Sequence, residues 1–116
     1  MQHCRPRAAW QPWADEIAIA QFRGYATLRS EEGAPRLDDL QRRYGPVRFV
    51  VGHTMTSGFR VTARFSSRAF LIDTGMLSSY YQGGRASALD IQNGVFAVIT
   101  SDGRQVLFDT AMGNVR

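Results

Sequence analysis

The stretch Phe49-Val50-Val51-Gly52-His53-Thr54 decides how the rest of the chain is interpreted. Its first three residues are apolar and β-prone, which predicts a short strand buried on both faces. Gly52 permits a sharp turn where a side chain would obstruct the backbone. The turn leaves His53 at a strand end, on a rigid support, where an imidazole can serve as a metal ligand or a general base. The alternative is a histidine at a strand end that only makes hydrogen bonds, since a short motif does not establish a function by itself.

The segments around this stretch predict an α/β (α+β) chain, in which one helix–strand unit is followed by a β meander. Residues 22–28 form a candidate extended segment, and residues 30–35 form a polar loop. Pro35 suits the first turn of a helix, and Gly45-Pro46 suits its end. We therefore expect a short amphipathic helix that leads into the strand at residues 48–51.

The pattern after residue 58 is typical of β structure. Residues 59–65 alternate apolar and polar side chains, which is the period of a half-buried strand. Apolar runs at residues 69–72, 86–91, 95–99 and 105–108 predict further strands. Asn93-Gly94, between two of these runs, is a strong signal for a hairpin turn.

Length and composition fit one small globular domain. The chain has 116 residues, with 44% hydrophobic and 21% charged residues. No apolar run approaches the length of a membrane span, and Pro6, Asp15 and Glu16 interrupt any signal-peptide core. Cys4 is the single cysteine, so no internal disulfide forms, which fits a cytoplasmic location.

The net charge of +4 is the excess of 14 basic over 10 acidic residues, and all the basic residues are arginine. The arginines are scattered along the whole chain, with Arg42-Arg43 the single adjacent pair. A nucleic-acid surface concentrates its positive charge on one face or stripe. We therefore expect no specific nucleic-acid partner and no membrane partner.

Four motifs follow one another in an order that characterises a known family. They are Gly52-His53-Thr54, Ile72-Asp73-Thr74-Gly75, Tyr81-Gln82-Gly83-Gly84 and Ala88-Leu89-Asp90-Ile91. The ordered set resembles the C-terminal half of the calcineurin-like metallophosphatases, in the bacterial branch related to protein serine/threonine phosphatases and diadenosine tetraphosphatases. Upstream, Phe22-Arg23-Gly24-Tyr25-Ala26 resembles a Trp-Tyr-Arg-Gly-Tyr segment of some bacterial members.

The resemblance implies a division of the chain and a fold. It places the C-terminal part of a calcineurin-like phosphoesterase domain at residues 19–110, after a poorly specified segment at 1–18 and before a loose tail at 111–116. This part would supply the C-terminal half of a β-sandwich flanked by helices. The intact enzyme would hydrolyse phosphate esters or anhydrides of a phosphorylated substrate, using two divalent metals (manganese, iron or zinc).

The resemblance also implies roles for four residues. His53 would be a metal ligand, and Met55 occupies the position where some members carry a second histidine. Arg23 would bind phosphate, for which a guanidinium is well shaped, although a solvated arginine is the alternative. Asp73 and Tyr81 would lie in loops that line the cleft. For Asp73 a strand-end residue that caps its own turn is the favoured alternative. For Tyr81 the alternative is an ordinary exposed loop.

Several motifs of the family are absent from the sequence. The Asp-x-His, Gly-Asp-x-x-Asp-Arg and Gly-Asn-His-Glu motifs, which carry most of the metal ligands, do not occur. We therefore expect a fragment that holds no metal and has no activity by itself, and that self-associates through exposed sheet edges. The alternative is a non-enzymatic, β-rich binding or interaction module derived from half of a phosphatase.

Overall fold

The computed structural model describes residues 23–77 and 79–114. The predicted segment at 1–18 and the last two residues of the predicted tail lie outside the described residues. The helices are α1 (Gly24–Thr27) and α2 (Ser30–Tyr44). The strands are β1 (Phe49–Val51), β2 (Thr62–Arg64), β3 (Ala69–Leu71), β4 (Ser87–Gln92), β5 (Val95–Thr100), β6 (Gly103–Asp109) and β7 (Gly113–Asn114).

A one-turn helix, α1, replaces the predicted extended segment at 22–28, so that prediction is wrong. The guanidinium of Arg64 donates hydrogen bonds to the carbonyls of Tyr25 and Leu28, at the end of this helix. The last carbonyls of a helix need partners outside its own hydrogen-bond pattern, and an unpaired buried carbonyl costs free energy. The stabilising contact comes from a strand far along the chain, and therefore no local pattern reveals it.

The second helix, α2, begins at Ser30, so the predicted polar loop at 30–35 is also wrong. The Glu32 carboxylate accepts a hydrogen bond from the backbone N–H of Arg29, at 3.3 Å, and so caps the helix. Acidic side chains in the first turn also interact favourably with the positive end of the helix dipole. Pro35 lies inside the helix, and the predicted end is confirmed because Gly45 has φ +86.

The first sheet contains three strands in the order β1-β3-β2. β1 runs parallel to β3, with Val50 level with Phe70, and β2 runs antiparallel to β3. The central strand β3 is buried along its whole length. β2 is shorter than the predicted strand at 59–65, since the chain has positive φ values at Phe59 and again at Phe65.

Successive residues of β3 point to opposite faces of the first sheet, as the geometry of a strand requires. Ala69 and Leu71 pack in one buried cluster with Tyr25, Leu37 and Phe65, which belong to the helices and to the turn after β2. Phe70 packs in a second cluster with Phe96 and Phe108 of the meander. The molecule therefore has three layers: the helices, the first sheet and the second sheet.

The second sheet is an antiparallel meander in the order β4-β5-β6-β7. Asn93 and Gly94 have φ values of 50° and 76° between β4 and β5, as a type I′ turn requires, which confirms the predicted hairpin. The predicted α+β class with a C-terminal meander is confirmed. Among the described helices, neither combines the length and the apolar character needed to span a bilayer.

Candidate functional site

His53 and Asp73 follow two neighbouring parallel strands. Val51, the last residue of β1, is level with Leu71, the last residue of β3. The N–H of Ile72 donates to the carbonyl of Val51 at 2.9 Å, which carries the pairing one step further. Each candidate residue comes two positions after its strand. They therefore lie at the same end of the sheet, beyond the carboxyl ends of β1 and β3. Ligands bind at this end in open sheets with parallel strands.

The backbone of His53 has a left-handed conformation, with φ +65. The sequence suggested that Gly52 makes the sharp turn, but the positive φ falls on the histidine itself. Histidine is among the few residues other than glycine that adopt this conformation with some frequency. Its imidazole is exposed and makes no hydrogen bond with the described residues. Backbone conformations of this kind concentrate at functional sites.

Asp73 holds the loop that follows β3. One oxygen of its carboxylate accepts a hydrogen bond from the N–H of Gly75 at 3.2 Å, an Asx-type turn. Its backbone carbonyl accepts from the N–H of Thr56 at 2.9 Å. The second bond joins the loop after β3 to the loop after β1, so the segments carrying His53 and Asp73 are fixed to one another.

Tyr81 belongs to the same group of loops. A Cβ atom placed on Gly75, which has φ +61, would lie 2.8 Å from the Met55 sulfur and 3.2 Å from the Tyr81 Cβ. This close approach requires glycine and brings the segments of His53, Asp73 and Tyr81 together. The Tyr81 ring makes an edge-on contact with Tyr80, with centroids 4.8 Å apart, and is 38% exposed.

Arg23 is the N-cap residue of α1, in the helix layer. Its backbone carbonyl accepts hydrogen bonds from Ala26 and Thr27. The side chain is exposed. Contacts join the segments of His53, Asp73 and Tyr81, whereas no hydrogen bond or ion pair between described residues joins Arg23 to His53 or Asp73.

The residues at this site do not by themselves form a metal centre. Within residues 23–77 and 79–114, no three histidine, cysteine, aspartate or glutamate side chains lie together as a metal-binding group. His53 and Asp73 supply two side chains, whereas a metal site in a protein takes about four or more ligands in a fixed geometry. Further ligands would have to come from another segment.

A cleft of about 410 Å³ lies between the chain before β2 and the second sheet. Its lining includes two arginines that the sequence motifs did not indicate. They are Arg60, next to β2, and Arg85, just before β4. No local pattern marks either residue, because the cleft exists only when distant segments pack together. The buried hydroxyls of Thr56 and Thr74, which hold these arginines, were missed for the same reason.

Comparisons of this chain with protein-family models, with curated proteins and with solved structures found no match.

Proposed function

We propose that this chain is the C-terminal part of a calcineurin-like metallophosphatase domain and contributes one histidine to its two-metal site. The observation that carries the proposal is the position of His53 and Asp73 at the ends of adjacent parallel strands. They occur there within Gly-His-Thr and Ile-Asp-Thr-Gly, the order in which that family carries these motifs. The two packed sheets beneath a helix layer are compatible with half of a β-sandwich flanked by helices.

In this proposal the remaining metal ligands belong to a second polypeptide segment. That segment carries the Asp-x-His, Gly-Asp-x-x-Asp-Arg and Gly-Asn-His-Glu motifs and completes the site around His53. The metals would be manganese, iron or zinc, and a pair of such ions promotes the hydrolysis of phosphate esters and anhydrides. The imidazole of His53 is exposed and makes no hydrogen bond with the described residues, so it is available to such a site.

The other predicted residues have subordinate roles. Asp73 positions the loop through its bond to Gly75, and Tyr81 borders the same loops. Arg23 stays a predicted phosphate contact, and its side chain is exposed. The substrate is a phosphorylated compound, and the single cysteine supports a cytoplasmic compartment.

Complementation tests the proposal. The chain alone is expected to show no manganese-dependent hydrolysis of p-nitrophenyl phosphate. Mixed with the N-terminal half of a bacterial calcineurin-like metallophosphatase, it is expected to gain that activity and to lose it in His53→Gly. Glycine suits the test because it accepts the positive φ of this position. Arg43→Gln, an exposed change on α2, is the matched control that keeps the activity.

The donor half must first regain activity with its own C-terminal half. If it does so but gives no activity with this chain, the proposal is contradicted. Manganese-dependent turnover by the chain alone that disappears in His53→Gly would equally contradict it.

The second candidate function is a non-enzymatic binding module. Exposed apolar side chains beside the loops favour it, since Met76, Leu77 and Tyr80 are 61%, 64% and 75% exposed. This candidate predicts that no donor half forms a complex with the chain in sedimentation experiments. Formation of a complex with metal-dependent activity would exclude it.

A further inference from the structure

A cleft of about 410 Å³ lies between residues 59–61 and one face of the second sheet. Val98 and Leu107 give part of its lining an apolar character, and Arg60 and Arg85 contribute positive charge. The volume falls in the range of small-molecule sites in proteins, which combine apolar walls with a few fixed polar groups.

A buried threonine holds the backbone of Arg60 on both sides. Thr56 is 7% exposed. Its hydroxyl donates a hydrogen bond to the carbonyl of Arg60 at 2.7 Å and accepts one from the N–H of Arg60 at 3.1 Å. One side chain therefore fixes both polar groups of the same residue, although that residue lies in a loop.

A second buried threonine holds Arg85 in a similar way. Thr74 is 1% exposed, and its hydroxyl donates to the carbonyl of Arg85 at 2.7 Å. The N–H of Arg85 donates to the backbone carbonyl of Thr74 at 3.2 Å. The N–H of Thr56 is bonded to the carbonyl of Asp73, next to Thr74. The backbones of the two arginines are therefore fixed relative to one another.

The guanidinium groups of Arg60 and Arg85 make no hydrogen bond and no ion pair with the described residues, and both side chains are exposed. Most other described arginines are engaged, as Arg64 is with helix carbonyls and Arg68 is with Asp38. The backbones are fixed and the guanidinium donors are unused by the described residues, so both guanidinium groups are available to an anion in the cleft.

The charges around the cleft leave a positive excess. Arg104 also lines it but forms an ion pair with Asp90, with Nε 3.1 Å from the carboxylate. Asp102 contributes one negative charge to the lining, against the two unpaired arginines. An anion that enters the cleft therefore meets one net positive charge.

We propose that this cleft binds a small organic phosphate. Arg60 and Arg85 hold the phosphate group, because a guanidinium offers paired N–H donors that match phosphate oxygens. Val98 and Leu107 contact the organic part. The site needs no metal and no second polypeptide segment, so it does not depend on the proposed phosphatase function.

Arginine-detected NMR tests the site in the chain as it exists. The Nε–Hε signals of Arg60 and Arg85 are followed during titration with phenyl phosphate, inorganic phosphate or phenol, all at the same ionic strength. We expect saturable shifts at both arginines, with phenyl phosphate binding more tightly than inorganic phosphate and phenol binding least.

Matched variants separate specific contacts from net charge. Arg60→Gln and Arg85→Gln are each expected to weaken phenyl phosphate binding about tenfold, the order of one charge-assisted hydrogen bond. Arg43→Gln removes the same charge from the far helix layer and is expected to leave the affinity unchanged. Thermal melts check that each variant is folded, which we expect because neither guanidinium makes a hydrogen bond or ion pair with the described residues.

Three results would overturn the proposal. One is the absence of saturable shifts at Arg60 and Arg85 in the folded chain. Another is a loss of affinity in Arg43→Gln equal to that in Arg60→Gln, which indicates net charge alone. The third is phenol binding as tightly as phenyl phosphate, which indicates an apolar site without a phosphate contact.

Discussion

Phe70 stacks on Phe96, with ring centroids 4.7 Å apart and ring planes inclined by 9°. The first ring belongs to the central strand of the first sheet and the second to the meander. Phe108 meets Phe96 edge-on at 5.8 Å and completes the cluster. This aromatic cluster, Phe70, Phe96 and Phe108, forms the core between the two sheets.

Removing the Phe70 ring is expected to destabilise the fold strongly. Phe70 is fully buried, and Phe70→Ala is expected to lower the free energy of unfolding by about 3–5 kcal/mol, through lost burial and the cavity that remains. Val50→Ala is the control, since Val50 is level with Phe70 but 44% exposed. Urea denaturation measures both, and equal losses would contradict the importance of the cluster.

The hydroxyl of Thr74 is expected to contribute more to the free energy of unfolding than the hydroxyl of an exposed threonine. Thr74→Val leaves the Arg85 carbonyl without this donor and also removes the 2.8 Å bond to the Ser87 hydroxyl. The expected loss of unfolding free energy is about 1–3 kcal/mol, the cost of leaving buried polar groups unpaired. Thr27→Val, an exposed change in α1, is expected to cost no more than about 0.5 kcal/mol. Chemical denaturation that finds the two variants equal would contradict this role.

Local signals in the sequence predict the positions of the strands and turns. The predicted burial of β1 on both faces is wrong, since Val50 is 44% exposed. The Asn93-Gly94 turn follows from the positive φ values that these two residues tolerate, and Gly45 ends α2 for the same reason. The helices were predicted less well. α1 depends on Arg64, about forty positions away, and the start of α2 depends on the cap from Glu32. The contact from Arg64 has a long sequence separation and leaves no periodic trace. The cap from Glu32 is local, but it begins at Arg29, and arginine is not among the usual N-cap residues.

At the candidate site, too, some features follow from local sequence signals and others depend on contacts between distant segments. The motifs placed His53 and Asp73 at strand ends, and the parallel pairing of β1 with β3 sets both residues at the carboxyl ends of these strands. The sequence predicts a sharp turn at Gly52, because glycine is a usual turn residue, whereas the left-handed backbone is at His53. The cleft at Arg60 and Arg85 depends on how a loop packs over the second sheet, which residue spacing does not encode.

Tyr25 is expected to make stability fall at alkaline pH. Burial raises the pKa of its phenol above the usual value of 10.0. A folded-state pKa above the unfolded one means that this stability is complete below the unfolded value and is lost as pH rises through the folded value. Tyr25→Phe is therefore expected to reduce the fall in unfolding free energy between about pH 8 and about pH 11.

The control for this experiment is Tyr80→Phe, since Tyr80 is 75% exposed. It is expected to keep the pH dependence of the wild type. Chemical denaturation at each pH measures the slope, and an unchanged slope in Tyr25→Phe would contradict the role of this phenol.

The chain alone is expected to self-associate through β1. This strand lies at the edge of the first sheet, and Val50 on it is 44% exposed. An open apolar edge is a template for pairing with another chain. Val50→Lys is expected to reduce concentration-dependent association in sedimentation velocity runs. Ile99→Lys also replaces an exposed apolar residue with lysine, but on the interior strand β5. It is expected to reduce association less. A wild-type chain that stays monomeric at all concentrations would contradict this expectation.

The metal content of the complemented enzyme tests the central claim most directly. The chain is purified together with the N-terminal half of a bacterial calcineurin-like metallophosphatase, and bound manganese is counted by mass spectrometry. We expect about two ions per complex with the wild-type chain and with Arg43→Gln, and fewer with His53→Gly, because each ligand helps to fix the geometry of the pair. A His53→Gly complex that keeps the full metal content and the wild-type rate of phosphate ester hydrolysis would contradict the claim.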